Sequence, residues 1–303
     1  YWRQRFGLLH TQLTNNDDVF RLEYLTASFD DANAATTSYE APLLDSDTIR
    51  WRVHGSWSEF TASDVGFFND TFEGETWDGG AELIANVYQD RNFFVDVLGG
   101  ARWMNTEVTS TVPGQREGKE QFFLPHVGAR YEANSAWYSH TGRAAVEWHS
   151  DQVTNADLAE LDDLGRIGAS EEWAGLKWNV SSSVFLEPLL NREAWEDPST
   201  PESSTLAHEL SFQFSGQHAF GDRLIPEQER TIGGLYTVRG YPESLLAGDT
   251  ALIGRFEYRF HVPRVFRIEP EPAEVMGGPF RFAPQYVYGA PDWDLVPRAF
   301  VDV

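Results

Sequence analysis

A single arginine, Arg239, lies among glycines in the stretch IGGLYTVRGY, residues 232–241. Gly233, Gly234 and Gly240 allow the backbone to turn tightly on both sides of it. The guanidinium is planar, permanently charged and able to bind a carboxylate through two parallel hydrogen bonds. The spacing therefore predicts a loop that holds one rigid cation at its tip, and the chemistry of such a loop is ion pairing and positioning.

The segment after this loop indicates how the loop is held. From Leu252 to Val262 the side chains alternate between an apolar face and a face that carries Arg255, Glu257, Arg259 and His261. A period of two predicts a β-strand, placed either between lipid and a polar interior or between a core and water.

Composition narrows the choice of environment. The 303 residues have a formal net charge of −24, which argues against a nucleic-acid partner because phosphate binding needs a basic surface. The chain has no cysteine, so a disulfide framework and thiolate metal sites are excluded. Aromatic residues make up 14% of the chain, a high share that the aromatic girdles of a membrane barrel would explain. No apolar run is long enough for a transmembrane helix.

The same alternation recurs along the whole chain. Strands are predicted around 6–13, 19–29, 37–44, 49–58, 77–88, 93–103, 121–131, 137–149, 176–186, 210–217 and 252–262, and residues 298–303 read as the opening of another. Polar loops are expected at 59–75, 105–119 and 150–172, with some helical character at 156–164. Short turns that alternate with long loops are typical of an up-and-down membrane barrel.

The predicted fold class is therefore all-β, an antiparallel up-and-down transmembrane β-barrel that forms one domain over residues 1–303. About twelve strands are expected from the pattern, as an incomplete part of a larger barrel. A soluble β-sandwich or a lipocalin-like barrel is the alternative.

Catalytic and metal-binding motifs are not found. The sequence has no Gly-x-Ser-x-Gly elbow, no His-Glu-x-x-His, no phosphate loop and no EF-hand spacing. Histidines at 54, 140, 149 and 261 lack a metal-ligand interval and are expected to line the lumen or the rim. Acidic pairs at 162–163 and 171–172 could bind calcium loosely, but a solvated charge run is favoured. We expect no enzymatic activity, no metal and no cofactor, although spacing alone leaves open an outer-membrane hydrolase with His and Ser on neighbouring strands.

An ordered block of motifs spans residues 210–257. Its members are Leu210–Gln217, Leu224-Ile225-Pro226-Glu227-Gln228, Ile232-Gly233-Gly234, Val238-Arg239-Gly240-Tyr241, Gly248-Asp249 and Glu257. The block resembles the two-partner secretion transporters, the TpsB family. They belong to a superfamily of POTRA-bearing outer-membrane barrels that includes the central barrel of the bacterial outer-membrane assembly machine. Upstream of the block only the rhythm of strands and turns matches.

The resemblance implies a sixteen-stranded outer-membrane barrel, preceded by POTRA domains, that exports a partner protein. On that plan the chain runs from about the second strand into the thirteenth, and residues 232–248 form a loop folded into the lumen. The family pattern implies that Arg239 meets Glu257 and Asp302, the latter within Phe300-Val301-Asp302. A solvated hairpin tip is the alternative for Arg239.

The implied partners are an unfolded client protein that enters from the periplasm and the lipid and lipopolysaccharide of the outer membrane, around a barrel expected to be monomeric. Two departures from the family pattern stand out: the long connection from Pro263 to Pro297, and the lack of a POTRA module in this sequence. A factor that inserts other barrels into the membrane is the alternative function within the superfamily, and a passive porin is the alternative outside it.

Overall fold

A computed structural model describes residues 3–27, 32–44, 46–65, 70–110, 116–154, 157–190, 206–287 and 289–303. Within them, twelve strands form one antiparallel sheet in which each strand pairs with the next one along the chain. The strands are β1 (Arg3–Thr11), β2 (Val19–Ala27), β3 (Ala32–Pro42), β4 (Ile49–Val65), β5 (Asp70–Asp90), β6 (Phe93–Ser110), β7 (Arg116–Asn134), β8 (Tyr138–His149), β9 (Trp173–Phe185), β10 (His208–His218), β13 (Ala251–Phe260) and β16 (Arg298–Asp302). This sheet confirms the predicted all-β, antiparallel up-and-down architecture.

Short elements occupy the connections. The segment between β8 and β9 contains the helices α1 (Asp151–Thr154) and α2 (Leu158–Asp163), and α3 (Glu187–Leu190) follows β9. Two small ribbons pair β11 (Arg230–Ile232) with β12 (Leu246–Gly248), and β14 (Ala273–Val275) with β15 (Gly278–Phe280). The helical character predicted at 156–164 is confirmed by α2. None of the helices in the described part of the chain is long and apolar enough to span a membrane.

The two faces of the sheet have an inverted polarity. Large apolar side chains such as Leu83, Val127 and Leu252 are about half exposed, whereas the carboxylates of Glu82, Glu147 and Glu257 lie on the opposite face and are buried. We call the face with the buried charges the inner face and the apolar one the outer face. A sheet that covered a dry core in water would show the reverse order, because apolar residues are then the buried ones. The alternation instead fits a strand between an apolar surround and a polar interior.

Aromatic side chains of the outer face cover glycines on the neighbouring strand. Tyr131 lies directly opposite Gly142, and Trp178 directly opposite Gly216. A β-carbon added to either glycine would come within 2.2 Å or 2.3 Å of the facing ring. Such glycine–aromatic pairs fix strand register, because only the hydrogen of glycine leaves room for the ring.

Two connections fold back over the inner face and form an apolar cluster there. Leu161 and Leu164 of the β8–β9 connection pack with Leu224 and Ile225, which follow β10. The wall contributes Met104, Phe122, Leu124 and Trp173 to the same cluster. We call this set the plug cluster. This apolar cluster lies on the face that also carries the buried charges, and it fixes both connections against β6 and β7.

Two of the predicted polar loops are wrong. Most of 59–75 and 105–119 is strand, because β4 runs to Val65, β5 begins at Asp70, β6 runs to Ser110 and β7 begins at Arg116. Polar residues are frequent in these extensions and do not alternate regularly with apolar ones in the sequence, although the backbone pairing continues. The predicted alternation of short turns and long loops therefore fails in this half of the sheet.

Other boundaries shift in smaller ways. β3 spans Ala32–Pro42 and so begins before the strand predicted at 37–44, and the residues that join 190 to 206 lie outside the described ranges. The strand predicted at 298–303 is confirmed as β16, which pairs with β13 from Arg255↔Asp302 to Arg259↔Arg298. The connection from Pro263 to Pro297, which departs from the family pattern, contains the β14–β15 ribbon.

Candidate functional site: the Arg239 loop on the inner face

The loop from β11 to β12 is closed by contacts that only glycine permits. Gly233 has φ of 114°, and a β-carbon there would lie 2.2 Å from the Pro242 carbonyl oxygen. Thr237 donates its hydroxyl proton to the Gly233 carbonyl at 2.6 Å, and Gly234 donates its N–H to the Tyr241 carbonyl at 3.2 Å. The glycine pair thus brings the two ends of the loop together, which leaves residues 237–240 as its tip.

Arg239 is bound to two strands at once. Its Nε and a terminal nitrogen donate to the two carboxylate oxygens of Asp302 at 2.6 Å each, and its backbone N–H donates to Asp302 at 2.9 Å. The other terminal nitrogen donates to Glu257 on β13. The guanidinium carbon lies 3.7 Å from the centre of the Phe300 ring. Arg239 therefore contacts both residues that the family resemblance implied as its partners, and its side chain is 14% exposed.

These contacts fix the tip of the loop on the sheet, and we call them the Arg239 lock. Glu257 and Asp302 lie on adjacent strands, β13 and β16, with Phe300 directly opposite Glu257. A bidentate contact to one carboxylate and a second contact to another fix the orientation of the guanidinium plane. Since Asp302 is 2% exposed, removal of Arg239 would leave a buried carboxylate without its main counter-ion. In this structure the Arg239 side chain is therefore held by two carboxylates and does not lie at a solvated hairpin tip.

The ion pairs continue beyond the predicted residues. Glu257 also accepts two hydrogen bonds from Arg259, and Arg259 binds Glu209 of β10 at 3.0 Å. His261 then joins Glu209 to Asp294 with 2.8 Å contacts to each. Alternating charges thus link three strands and the 263–297 connection. The parity of β13 had placed Arg259 and His261 on the face of Glu257, but Glu209 could be found only from the register of β10.

Gly248 and Asp249 lie apart from this network. Gly248 pairs with Arg230 in the small ribbon, and Asp249 binds Arg166 of the β8–β9 connection through both carboxylate oxygens. Burial alone would raise the pKa of Asp249, but hydrogen bonds from Arg166 and from the Leu224 N–H outweigh burial and lower this pKa. Asp249 therefore joins the base of the Arg239 loop to the plug cluster.

The remaining motif residues have lesser roles in the geometry. Val238 is half-buried beside Arg239, and Tyr241 is exposed and contributes its carbonyl to the loop closure. Among the described residues, no group of three or more His, Cys, Asp or Glu is arranged to hold a metal ion. The histidines predicted to lie on the lumen side or at the rim include His54 and His261, which contact Asp78 and Glu209 on the inner face.

Comparisons with solved structures agree on the fold. The chain superposes on CdiB from Escherichia coli with a TM-score of 0.63 at 13% identity, covering 89% of this chain and 46% of that one. CdiB from Acinetobacter baumannii gives 0.58 at 13%, covering 85% and 43%. BamA from Haemophilus ducreyi lacking POTRA domains 1–3 gives 0.53 at 10%, covering 88% and 51%. No family model matches the chain, and no curated protein matches it.

The fold of the chain is therefore that of the CdiB and BamA β-barrels. The chain spans about half the length of these structures. Its twelve-stranded sheet, open at β1 and β16 in the described residues, corresponds to a part of that barrel wall.

Proposed function

We propose that this chain is part of an outer-membrane β-barrel that exports a partner protein through its lumen in two-partner secretion. The exposed apolar outer face suits a lipid surround, and the charged inner face suits a hydrated path for a polypeptide. The fold likeness to CdiB favours such a role, and the motif block at 210–257 resembles the transporters of this class. In this proposal the barrel is a monomer in contact with outer-membrane lipid and lipopolysaccharide, and it works without an enzymatic step or cofactor.

The observation that carries the proposal is the attachment of Arg239 to Asp302 and Glu257. A loop that only capped a barrel would not need three charge-assisted contacts to Asp302 and a fourth to the next strand. Breaking a buried ion pair costs about 3–5 kcal/mol, enough to hold one arrangement firmly while leaving it reversible. We infer that the loop holds the lumen in one conformation and that the client changes this state as it passes.

The test replaces Arg239 in the full-length protein and measures export and insertion separately. We expect Arg239→Ala to reduce client secretion by at least about tenfold while the barrel still reaches the outer membrane, because the ion pair positions the loop and the sheet keeps its own backbone pairing. Arg239→Lys should restore only part of the export, since lysine keeps the charge but loses the bidentate geometry. Arg223→Ala, at an exposed site, is the matched control. Normal secretion by Arg239→Ala would contradict the proposal.

The second candidate function is the assembly of other outer-membrane barrels. The fold likeness to BamA, with a TM-score of 0.53, favours this candidate. An assembly factor and a secretion barrel differ in which proteins are lost when Arg239→Ala releases the loop. Loss of many outer-membrane barrels in cells with Arg239→Ala would indicate assembly. Loss of one secreted client with normal levels of other barrels would indicate secretion. A passive porin would instead give a large, steady conductance in planar bilayers.

A further inference from the structure

The inner face carries a groove in which cations outnumber carboxylates, in a chain of net charge −24. Its central part is a cavity of about 470 Å³ near the middle of β4, β5 and β8. The charged residues that line it are the cations Arg52, Arg102, Arg143, Lys177 and Arg230 and the carboxylates Glu82 and Glu147. His54 and His126 also line this cavity. The local charge is thus opposite in sign to that of the whole chain.

Several of these cations have capacity for another anion. Glu82 alone receives Arg52, Arg143 at 3.2 Å and His126 at 3.2 Å, so three basic groups share one carboxylate. Arg143 remains 42% exposed and Lys177 37% exposed. Arg230 forms no ion pair with any described residue, and one of its terminal nitrogens donates to the Ser215 hydroxyl at 3.2 Å.

The groove is long, which favours a chain over a small ion. A neighbouring cavity of about 800 Å³ shares Ser38, Arg52, Arg143 and Asn179 with the central one. It adds the arginines Arg21, Arg50 and Arg130 and the carboxylates Glu40, Asp47, Asp96 and Glu132. Arg50 is paired with Glu40 and Arg130 with Asp96, so the main excess of cations lies in the central cavity. Along β4 the basic residues Arg50, Arg52 and His54 occur at every second position, a repeat of about 6.6 Å. An extended polypeptide presents side chains to one side at the same repeat.

We propose that this groove binds an extended acidic polypeptide segment, with carboxylates at alternate positions facing the basic residues of the inner wall. The proposal rests on the proposed function in that such a segment would belong to the exported client. Because the chain as a whole is strongly negative, an acidic segment is repelled elsewhere and is drawn to the groove. Arg143, Lys177 and Arg230 make the contacts, and Glu82 holds Arg143 in place.

The binding is tested with the purified full-length protein in lipid nanodiscs and a fluorescent oligo-glutamate peptide, read by anisotropy. We expect saturable binding that weakens as salt is raised, since charge attraction is screened. Arg143→Gln and Arg230→Gln should each weaken binding by about tenfold, and Arg143→Lys should retain most of it. Arg223→Gln removes an exposed charge that lies outside the groove and should have no effect.

Two results would overturn the proposal: equal or tighter binding of oligo-lysine, or unchanged oligo-glutamate affinity in the Arg143→Gln, Arg230→Gln double variant. This assay does not depend on export. A protein that exports its client normally but fails to bind oligo-glutamate would reject the groove and leave the proposed function intact. A protein that binds oligo-glutamate but exports no client would support the groove and reject the proposed function.

Discussion

Arginine is the residue type best suited to the contacts made at position 239. It binds both oxygens of Asp302, reaches Glu257 on the next strand and stacks on Phe300. Lysine could supply the charge but neither the fork nor the planar stacking surface. The partners of Arg239 were predicted from the family resemblance of the motif block. Asp302 lies 63 residues away in the sequence, so spacing alone could not show that the two residues meet.

The glycines of the loop differ in what they tolerate, which gives a matched pair of substitutions. Gly233→Ala should release the loop, because a β-carbon would meet the Pro242 carbonyl at 2.2 Å in addition to the cost of φ at 114°. Gly240 has φ of 90°, but a β-carbon added there would lie in open space. Gly240→Ala should therefore lower the free energy of unfolding by only about 1–2 kcal/mol and leave the loop docked.

The measurement is thiol labelling of a single cysteine at Val238, in a chain that otherwise has none. We expect labelling to become faster with Gly233→Ala and to stay near the parent rate with Gly240→Ala. Equal rates in the two variants would show that the close contact at Gly233 does not hold the loop.

At the scale of elements, the strands were predictable where their two faces differ in polarity. β4 was found from Trp51, Val53 and Trp57 opposed to Arg52 and His54. Its continuation to Val65 was missed because the side chains stop alternating while the backbone hydrogen bonds persist. The alternation of side chains shows that the two faces of a strand meet different environments. It does not show how far the backbone pairing continues beyond the apolar zone.

The plug cluster could not be predicted, since it joins residues from separate connections. Leu161, Leu224 and Met104 are each at most 1% exposed, but nothing in their local sequence indicates that two loops fold onto β6. Arg166 adds a polar contact to the same interface through Asp249. The plug is a tertiary feature, and long-range packing decides it.

Leu161→Ala should loosen the connection between β8 and β9. A fully buried leucine contributes about 2–5 kcal/mol, so we expect trypsin to cleave at Arg166 at least about fivefold faster in reconstituted protein. Leu158→Ala on the same helix is the control, because Leu158 is 52% exposed. Equal cleavage of the two variants would mean that the cluster does not hold this connection.

At the scale of the molecule, the inverted polarity of the sheet connects every other feature. Buried carboxylates need cations, and the wall supplies them on neighbouring strands, as in Arg259 with Glu209 and Arg130 with Asp96. The mean hydropathy of −0.42 could not show this, because only every second strand residue faces outward. The Arg239 lock, the plug cluster and the basic groove all lie on the inner face and have a role only if the outer face meets lipid.

The most direct measurement is a nitroxide scan along β4 in lipid bilayers, with one cysteine at a time at Val53, His54, Gly55 and Ser56. We expect a period of two. Collision with oxygen, which partitions into lipid, should be high at positions 53 and 55, and collision with a water-soluble nickel reagent should be high at 54 and 56. The opposite phase, or no alternation, would contradict a lipid-facing outer surface and, with it, an export path along the inner one.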